Sequence, residues 1–278
     1  MMRRIRAIDS TPSLGSGRKE GGAPDTGSDP ERPQAVALGM SDDRADPHVA
    51  VVTGASSGIG AATAIALARA GFCVILGARR LDVLEEVAAR CDGTALALDV
   101  TQASSVDAFA GAIDHVDVLV NNAGLAVGRD PLAELSDEAA DTMWQTNVAG
   151  LLRVTRALLP LLADSRRGHI VNVSSVGGFE VYAGGGGYNL TKHAVRAITR
   201  TLRLELLDAG IRVTEVAPGL VETDFSLVRY AGDAVRAAKT YEGMASLAAE
   251  DVADCIVWAV TRPPHVNVDE IVVRPTAV

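Results

Sequence analysis

From residue 48 onward the chain alternates two kinds of hydrophobic pattern. Short runs rich in β-branched residues are apolar almost throughout: VAVVT at 49–53, CVILG at 73–77, ALALDV at 95–100, DVLVNN at 117–122, HIVNVSS at 169–175, RVTEVAP at 212–218 and EIVVRP at 270–275. Runs without a polar face fit strands that are covered on both sides. Between them, apolar positions recur at helical spacing over 58–70, 82–91, 103–113, 136–163, 187–209 and 249–260. Strands alternating with helices predict right-handed crossovers and a parallel sheet of about seven strands. The expectation is a single α/β domain, doubly wound, with helices on both faces. Ligands bind such sheets at the carboxyl ends of the strands.

The first 47 residues break the pattern. They contain no Phe, Trp or Tyr and are dense in Gly, Pro, Ser and charge, as in GSGRKEGGAPDTGSDPERPQ. Such a segment cannot bury enough apolar surface to offset its ordering entropy, so 1–47 reads as a disordered extension before one folded domain over 48–278. Its start, MMRRIRAIDS, lacks the apolar stretch of a secretory signal. A transit peptide, a basic arm, or an extended start with Met40 as the initiator all remain open.

Composition narrows the partners. Hydrophobic residues make up 48% and charged residues 22%, as in a soluble globular protein. The formal net charge of −9 counts against nucleic acid as a partner. No apolar run approaches the ~18 residues of a membrane span. The three cysteines, Cys73, Cys91 and Cys255, are odd in number and lack metal-type spacing, which fits a reducing cytoplasm. No cluster suggests a metal.

Directly after the first strand comes TGASSGIG, with Gly54, Gly58 and Gly60 spaced G-x-x-x-G-x-G around Ser56, Ser57 and Ile59, and then a helix. Glycine permits tight turns and close backbone approach, and a helix N-terminus offers free N–H groups to a pyrophosphate. Placed between strand and helix, the loop predicts dinucleotide binding in a Rossmann-like sheet. The second strand ends in VILGARRLD, where NAD-binding sheets carry an acid for the ribose 2′-hydroxyl. Arg79 and Arg80 stand there instead. Guanidinium forks suit a 2′-phosphate, so NADP is favoured over NAD.

Further on, GGGGYNLTK sets Tyr188 four residues before Lys192, on one helical face, behind four glycines that read as a flexible hinge. A phenol acting as a base near neutrality needs its pKa lowered by ~3 units, about 4 kcal/mol. A positive charge at ~4 Å in an effective dielectric near 20 supplies about that much. Ser175 ends the strand HIVNVSS, and the intervening glycines allow it to converge with Tyr188. Ser174 is out of strand phase, and the rival Tyr182 has no lysine four residues on. Asn147 is a polar residue among apolar neighbours.

TGASSGIG, NNAG at 121–124, Asn147, the serine with YNLTK, and PGLVET at 218–223 together resemble the short-chain dehydrogenase/reductase family over residues 48–275. The resemblance implies Tyr188 as acid/base, Lys192 as pKa modulator and ribose ligand, Ser175 as carbonyl orienter, and Asn147 as holder of a relay water. It further implies Asp99 and Val100 beside the adenine and Asn122, Ala123 and Gly124 by the ribose. Pro218, Gly219, Val221 and Thr223 belong by the nicotinamide. YAGGGGYNLTKHAV, RVTEVAPGLVETDFSLVRYAGD and RPPHVNVDEIVVRPT resemble the NADP-dependent serine/3-hydroxy acid dehydrogenase branch. That branch implies oxidation of small β-hydroxy acids, a substrate lid at about 222–247, and a homotetramer built on the helices at 136–163 and 187–209. Arg229 and Lys239 in the lid either meet a substrate carboxylate or lie on a solvated face. Glu180 falls near the expected pocket mouth, where it would repel an anion. Reduction of 3-ketoacyl or xenobiotic carbonyls is the alternative activity. A non-catalytic nucleotide sensor is the alternative from another class.

Overall fold

The computed structural model describes residues 48–243 and 245–276; the extension expected over 1–47, with Met40, lies outside the described residues. The strands are β1 (Val49–Thr53), β2 (Cys73–Ala78), β3 (Thr94–Ala97), β4 (Val118–Asn121), β5 (His169–Val173), β6 (Arg212–Pro218) and β7 (Glu270–Val273). They form one parallel sheet in the order β3-β2-β1-β4-β5-β6-β7. The helices are α1 (Gly58–Arg69), α2 (Leu81–Ala89), α3 (Ala103–Gly111), α4 (Asp137–Trp144), α5 (Leu151–Asp164), α6 (Gly186–Glu205), α7 (Phe225–Arg229), α8 (Ala234–Lys239) and α9 (Ala249–Val260). Every run predicted as a strand is one.

The continuous apolar runs have the predicted cause. Ala50 and Val52 of β1 join a cluster with Leu67 of α1, Leu84 of α2 and Ile256 of α9. Val51, between them, joins the opposite cluster with Phe109 of α3 and Leu158 and Leu162 of α5. Alternate side chains therefore enter two cores, and neither face needs polar residues. β1 has β2 on one side and β4 on the other. The crossovers leave in opposite directions there and open a crevice at the carboxyl ends of the strands.

Two differences from expectation bear on the site. β3 stops at Ala97 rather than at 100, because Asp99 turns the chain by accepting from the Thr101 N–H and hydroxyl at 2.9 and 2.7 Å. The single helix expected over 136–163 is α4 and α5 joined by a π turn at Gln145–Gly150. Such one-turn widenings cluster at functional sites, and this one holds the buried Asn147.

Candidate active site

The end of β1 builds the first wall of the crevice. Thr53 Oγ1 accepts the N–H groups of Asn122 and Ala123, each at 3.0 Å. Asn122 Nδ2 donates back to the Thr53 and Gly54 carbonyls at 2.9 and 3.2 Å. The glycine loop is thereby bolted to the end of β4, and glycine is required at its contacts. A Cβ on Gly54, whose φ is +65°, would stand 2.8 Å from Ala123 Cα, and one on Gly60 would stand 2.4 Å from the Gly54 carbonyl oxygen. The first turn of α1 carries neither a side-chain cap nor an acid. Its N–H groups and positive dipole end suit a pyrophosphate. The residues present therefore fit a dinucleotide.

At the end of β2, Arg80 Nη2 donates to Ser56 Oγ at 3.1 Å and Ser57 Oγ at 3.0 Å. The guanidinium thus sits at the rim of the glycine loop. Arg79 acts instead on Asp99. Burial pushes that carboxyl up, but the Thr101 hydrogen bonds and then Arg79 outweigh it and hold it below its ordinary range. Val100 is buried beneath Gly150, where a Cβ would meet it at 2.7 Å.

The opposite wall comes from β5 and α6. Tyr188 is hydrogen-bonded to the Ser175 hydroxyl, which also accepts the Gly177 N–H at 3.1 Å. Lys192 Nζ donates to the Val173 carbonyl at 2.9 Å and lies 5.7 Å from the centre of the Tyr188 ring. Asn147 Oδ1 accepts the Leu125 N–H at 2.8 Å, while its Nδ2 donates to the Leu125 carbonyl and to Thr191 Oγ1 at 2.8 and 3.0 Å. Ser175, Tyr188 and Lys192 face Gly54, Gly58, Asn122, Gly124, Gly219 and Thr223 across one cleft. The rivals lie beside this cluster: Ser174 lines the same cleft, and Tyr182 reaches it through Arg229. The buried Ser174 hydroxyl has no hydrogen-bond partner among the described residues, and the Tyr182 hydroxyl accepts from Arg229 Nη1 at 3.2 Å.

Four details correct the sequence reading. In the cofactor-free protein, burial is the larger influence on the phenol. Burial pushes Tyr188 up to about 12, outweighing the Ser175 hydrogen bond and the Arg229 charge. Burial also takes Lys192 down to about 8, with Glu215 acting in the opposite direction. Lys192 is buried and Tyr188 half-buried, and the ammonium donates to a backbone carbonyl. A phenol that keeps its proton through the neutral range is a proton donor.

The glycines at 184–187 are not a hinge. Gly186 and Gly187 begin α6, where a Cβ would strike Leu132 Cδ1 at 2.7 Å and Met143 Cε at 2.4 Å. They allow close packing of that turn. Glu180 stays out of the cleft because Arg274 Nη2 and Nη1 hold its carboxylate at 2.6 and 3.2 Å. Lys239 lies in a separate depression beside Glu222, Tyr241 and Glu242.

Arg229 does reach the site. Its Nε donates to the Gly128 carbonyl at 2.7 Å and its own carbonyl accepts the Gly128 N–H at 2.9 Å. That pair clasps α7 to the loop after β4, and the guanidinium stands 5.8 Å from the Tyr188 ring centre. Sequence reasoning missed Thr53 and the lid residues Asp224, Phe225 and Val228, which line the cleft. Phe225 meets Tyr188 edge-on at 5.5 Å. No periodicity marks these residues, since contacts far apart in the chain place them. Among the described residues no group of His, Cys, Asp or Glu is placed to hold a metal, and no helix is long and apolar enough to cross a membrane.

Residues 48–231 match the family model described as short chain dehydrogenase. An uncharacterized oxidoreductase of Mycobacterium tuberculosis is 56% identical over 82% of this chain and 91% of its own length. The NADP-dependent 3-hydroxy acid dehydrogenase of Schizosaccharomyces pombe is 41% identical over 84% of this chain and 94% of its own. The closed form of a serine dehydrogenase complexed with NADP+ superposes with a TM-score of 0.78 at 37% identity, covering 81% of this chain and 93% of that one. Sequence and architecture agree: the chain belongs to the short-chain dehydrogenase family.

Proposed function

We propose that this protein is an NADP-dependent oxidoreductase of small alcohol/carbonyl pairs, with 3-hydroxy acids and their 3-oxo partners as substrates. The observation that carries the reading is the convergence of Tyr188, Ser175 and Lys192 across one cleft from a glycine loop and an uncapped helix N-terminus. NADP, when bound, supplies the hydride chemistry. Gly54, Ser57, Gly58 and Ile59 would hold its pyrophosphate, Arg80 with Ser56 its 2′-phosphate, and Lys192 with Asn122 its ribose. In the reductive direction Tyr188 gives its proton to the carbonyl oxygen while Ser175 fixes that oxygen. Lys192 supplies charge beside the phenol. Asn147, with both amide donors engaged, holds the turn after β4 against α6 at the base of the cleft. Positioning of the two reacting carbons is the largest contribution to rate.

The acid preference rests on Arg229, a cation beside the phenol whose Nη2 has no hydrogen bond among the described residues. The relatives named for serine and 3-hydroxy acids support it, since both substrate types carry a carboxylate close to the reacting carbon. We place the protein in the cytoplasm, as its three cysteines are unpaired. We also propose a homotetramer, because Leu132, Trp144, Val181 and Leu190 are exposed along the α4 and α6 flank.

The test follows nicotinamide absorbance with NADP or NAD against serine, 3-hydroxybutyrate, 3-hydroxypropionate and neutral alcohols of matching size. Turnover of the acids with NADP is the expected result, with a loss of about 10²-fold or more in Tyr188→Phe and cofactor affinity retained. Full activity in that variant removes the tyrosine mechanism. Activity on neutral alcohols alone discards the hydroxy acids, and a strict need for NAD discards the 2′-phosphate reading.

A further inference from the structure

Between β6 and α9 the chain leaves the sheet, lines the cleft with Thr223, Asp224, Phe225 and Val228, and returns. The two ends of this segment are tied together. The Glu222 N–H donates to the Leu247 carbonyl at 2.8 Å and the Leu247 N–H to the Leu220 carbonyl at 2.9 Å. Ser246 Oγ donates to Glu222 Oε2 at 2.9 Å. This neck sets where the segment starts and stops. It does not set how α7 lies on the cleft.

α7 is only five residues long. A helix so short is not stable through its own hydrogen bonds, so its attachments place it. The clasp between Arg229 and Gly128 holds its far end. At its near end stands Tyr241, two residues beyond α8. The Tyr241 hydroxyl accepts from Ser226 Oγ at 2.8 Å and donates to the Thr223 carbonyl at 3.2 Å. Ser226 lies in the first turn of α7 and is 3% exposed. Thr223 rests on the glycine loop, since a Cβ on Gly58 would meet its Cβ and Cγ2 at 3.3 Å. Its Oγ1 also accepts the Phe225 N–H at 3.3 Å. One hydroxyl thus joins the returning arm of the segment, the start of α7 and the residue packed on the nucleotide loop.

Tyr241 itself borders the separate depression that holds Lys239, so it acts on the cleft through others. Its two partners, Thr223 and Ser226, bracket Asp224 and Phe225, which line the cleft. We propose that Tyr241 is a positioning residue whose hydroxyl latches α7 to Thr223 and so holds Phe225 and Arg229 against the Tyr188 ring. Phe225 meets that ring edge-on at 5.5 Å and the Arg229 guanidinium stands 5.8 Å from its centre. Without the latch, α7 keeps its clasp at Gly128 and is free to pivot about it.

The kinetic part of the test rests on the proposed function, and a second readout does not. Tyr241→Phe keeps the ring and deletes both hydrogen bonds. In hydrogen–deuterium exchange of the full chain without cofactor, peptides covering 224–231 should exchange about tenfold faster than in wild type, with β5 and β6 unchanged. Ser226→Ala, which removes one of the two bonds, should give a smaller increase. With NADP and a 3-hydroxy acid, KM for the acid in Tyr241→Phe should rise about tenfold while kcat stays within about twofold. Tyr230→Phe is the control, a tyrosine of the same segment whose ring lies 4.7 Å from the Arg236 guanidinium, and neither readout should move. Unchanged exchange in Tyr241→Phe overturns the proposal. So does faster exchange with an unaltered KM, which would leave the hydroxyl a packing role alone, and so does a Tyr230→Phe that matches Tyr241→Phe. If Tyr241→Phe fails to fold by circular dichroism, Ser226→Ala decides. Absence of wild-type turnover sinks the proposed function alone, and exchange then decides the latch.

Discussion

Arg80 joins two readings that the sequence kept separate. Its guanidinium holds Ser56 and Ser57 of the glycine loop, at the rim where the ribose phosphate of NADP would lie. Charge-assisted hydrogen bonds of this kind contribute about 1.5–3 kcal/mol each. Arg80→Ala should therefore raise KM for NADP about tenfold or more and leave KM for NAD within about twofold. Steady-state kinetics with each cofactor decides it, and equal changes for both would mean that the arginine only braces the loop. The pair Arg79–Arg80 was legible because an acid is missing from a strand end. That the two part company, one toward Asp99 and one toward the loop, depends on contacts 20 or more residues away and leaves no local mark.

Between elements, the π turn of α4–α5 and the loop after β4 are held together through one side chain. Asn147 satisfies both the N–H and the carbonyl of Leu125 and reaches Thr191 of α6. Truncating it leaves buried polar groups unpaired, at about 1–3 kcal/mol for each. Asn147→Ala should lose roughly 2–4 kcal/mol of stability in urea unfolding, alongside any loss of activity. A change under about 0.5 kcal/mol would show that the clamp is not structural. The sequence showed Asn147 as an amide amid apolar residues and predicted a continuous helix around it. Helical periodicity does not register one widened turn, so the junction was invisible. The four glycines failed for a related reason: their freedom was legible, but the groups that crowd them belong to Arg129, Tyr182, Leu132 and Met143.

For the whole molecule, the exposed apolar side chains on the α4 and α6 flank are joined by Trp258 and Val272 near the far edge of the sheet. Two such regions suit a closed assembly with two kinds of interface. Light scattering should give a mass near four times the 28.8 kDa chain. A monomer at micromolar concentration would remove the tetramer.

What the sequence determined by itself was whatever depends on short-range pattern. Continuous apolar runs set strands in a two-sided sheet, glycine spacing set the nucleotide loop, and Y-x-x-x-K set a phenol and an ammonium on one helix face. Tertiary structure decided what depends on burial and on partners distant in the chain. It raised the Tyr188 pKa instead of lowering it, turned Glu180 away to Arg274, put Lys239 outside the cleft, and brought Tyr241 back onto Thr223. The reason is physical: the sign of a pKa shift and the direction of a long side chain follow from local solvation and from neighbours that only the folded sheet brings together.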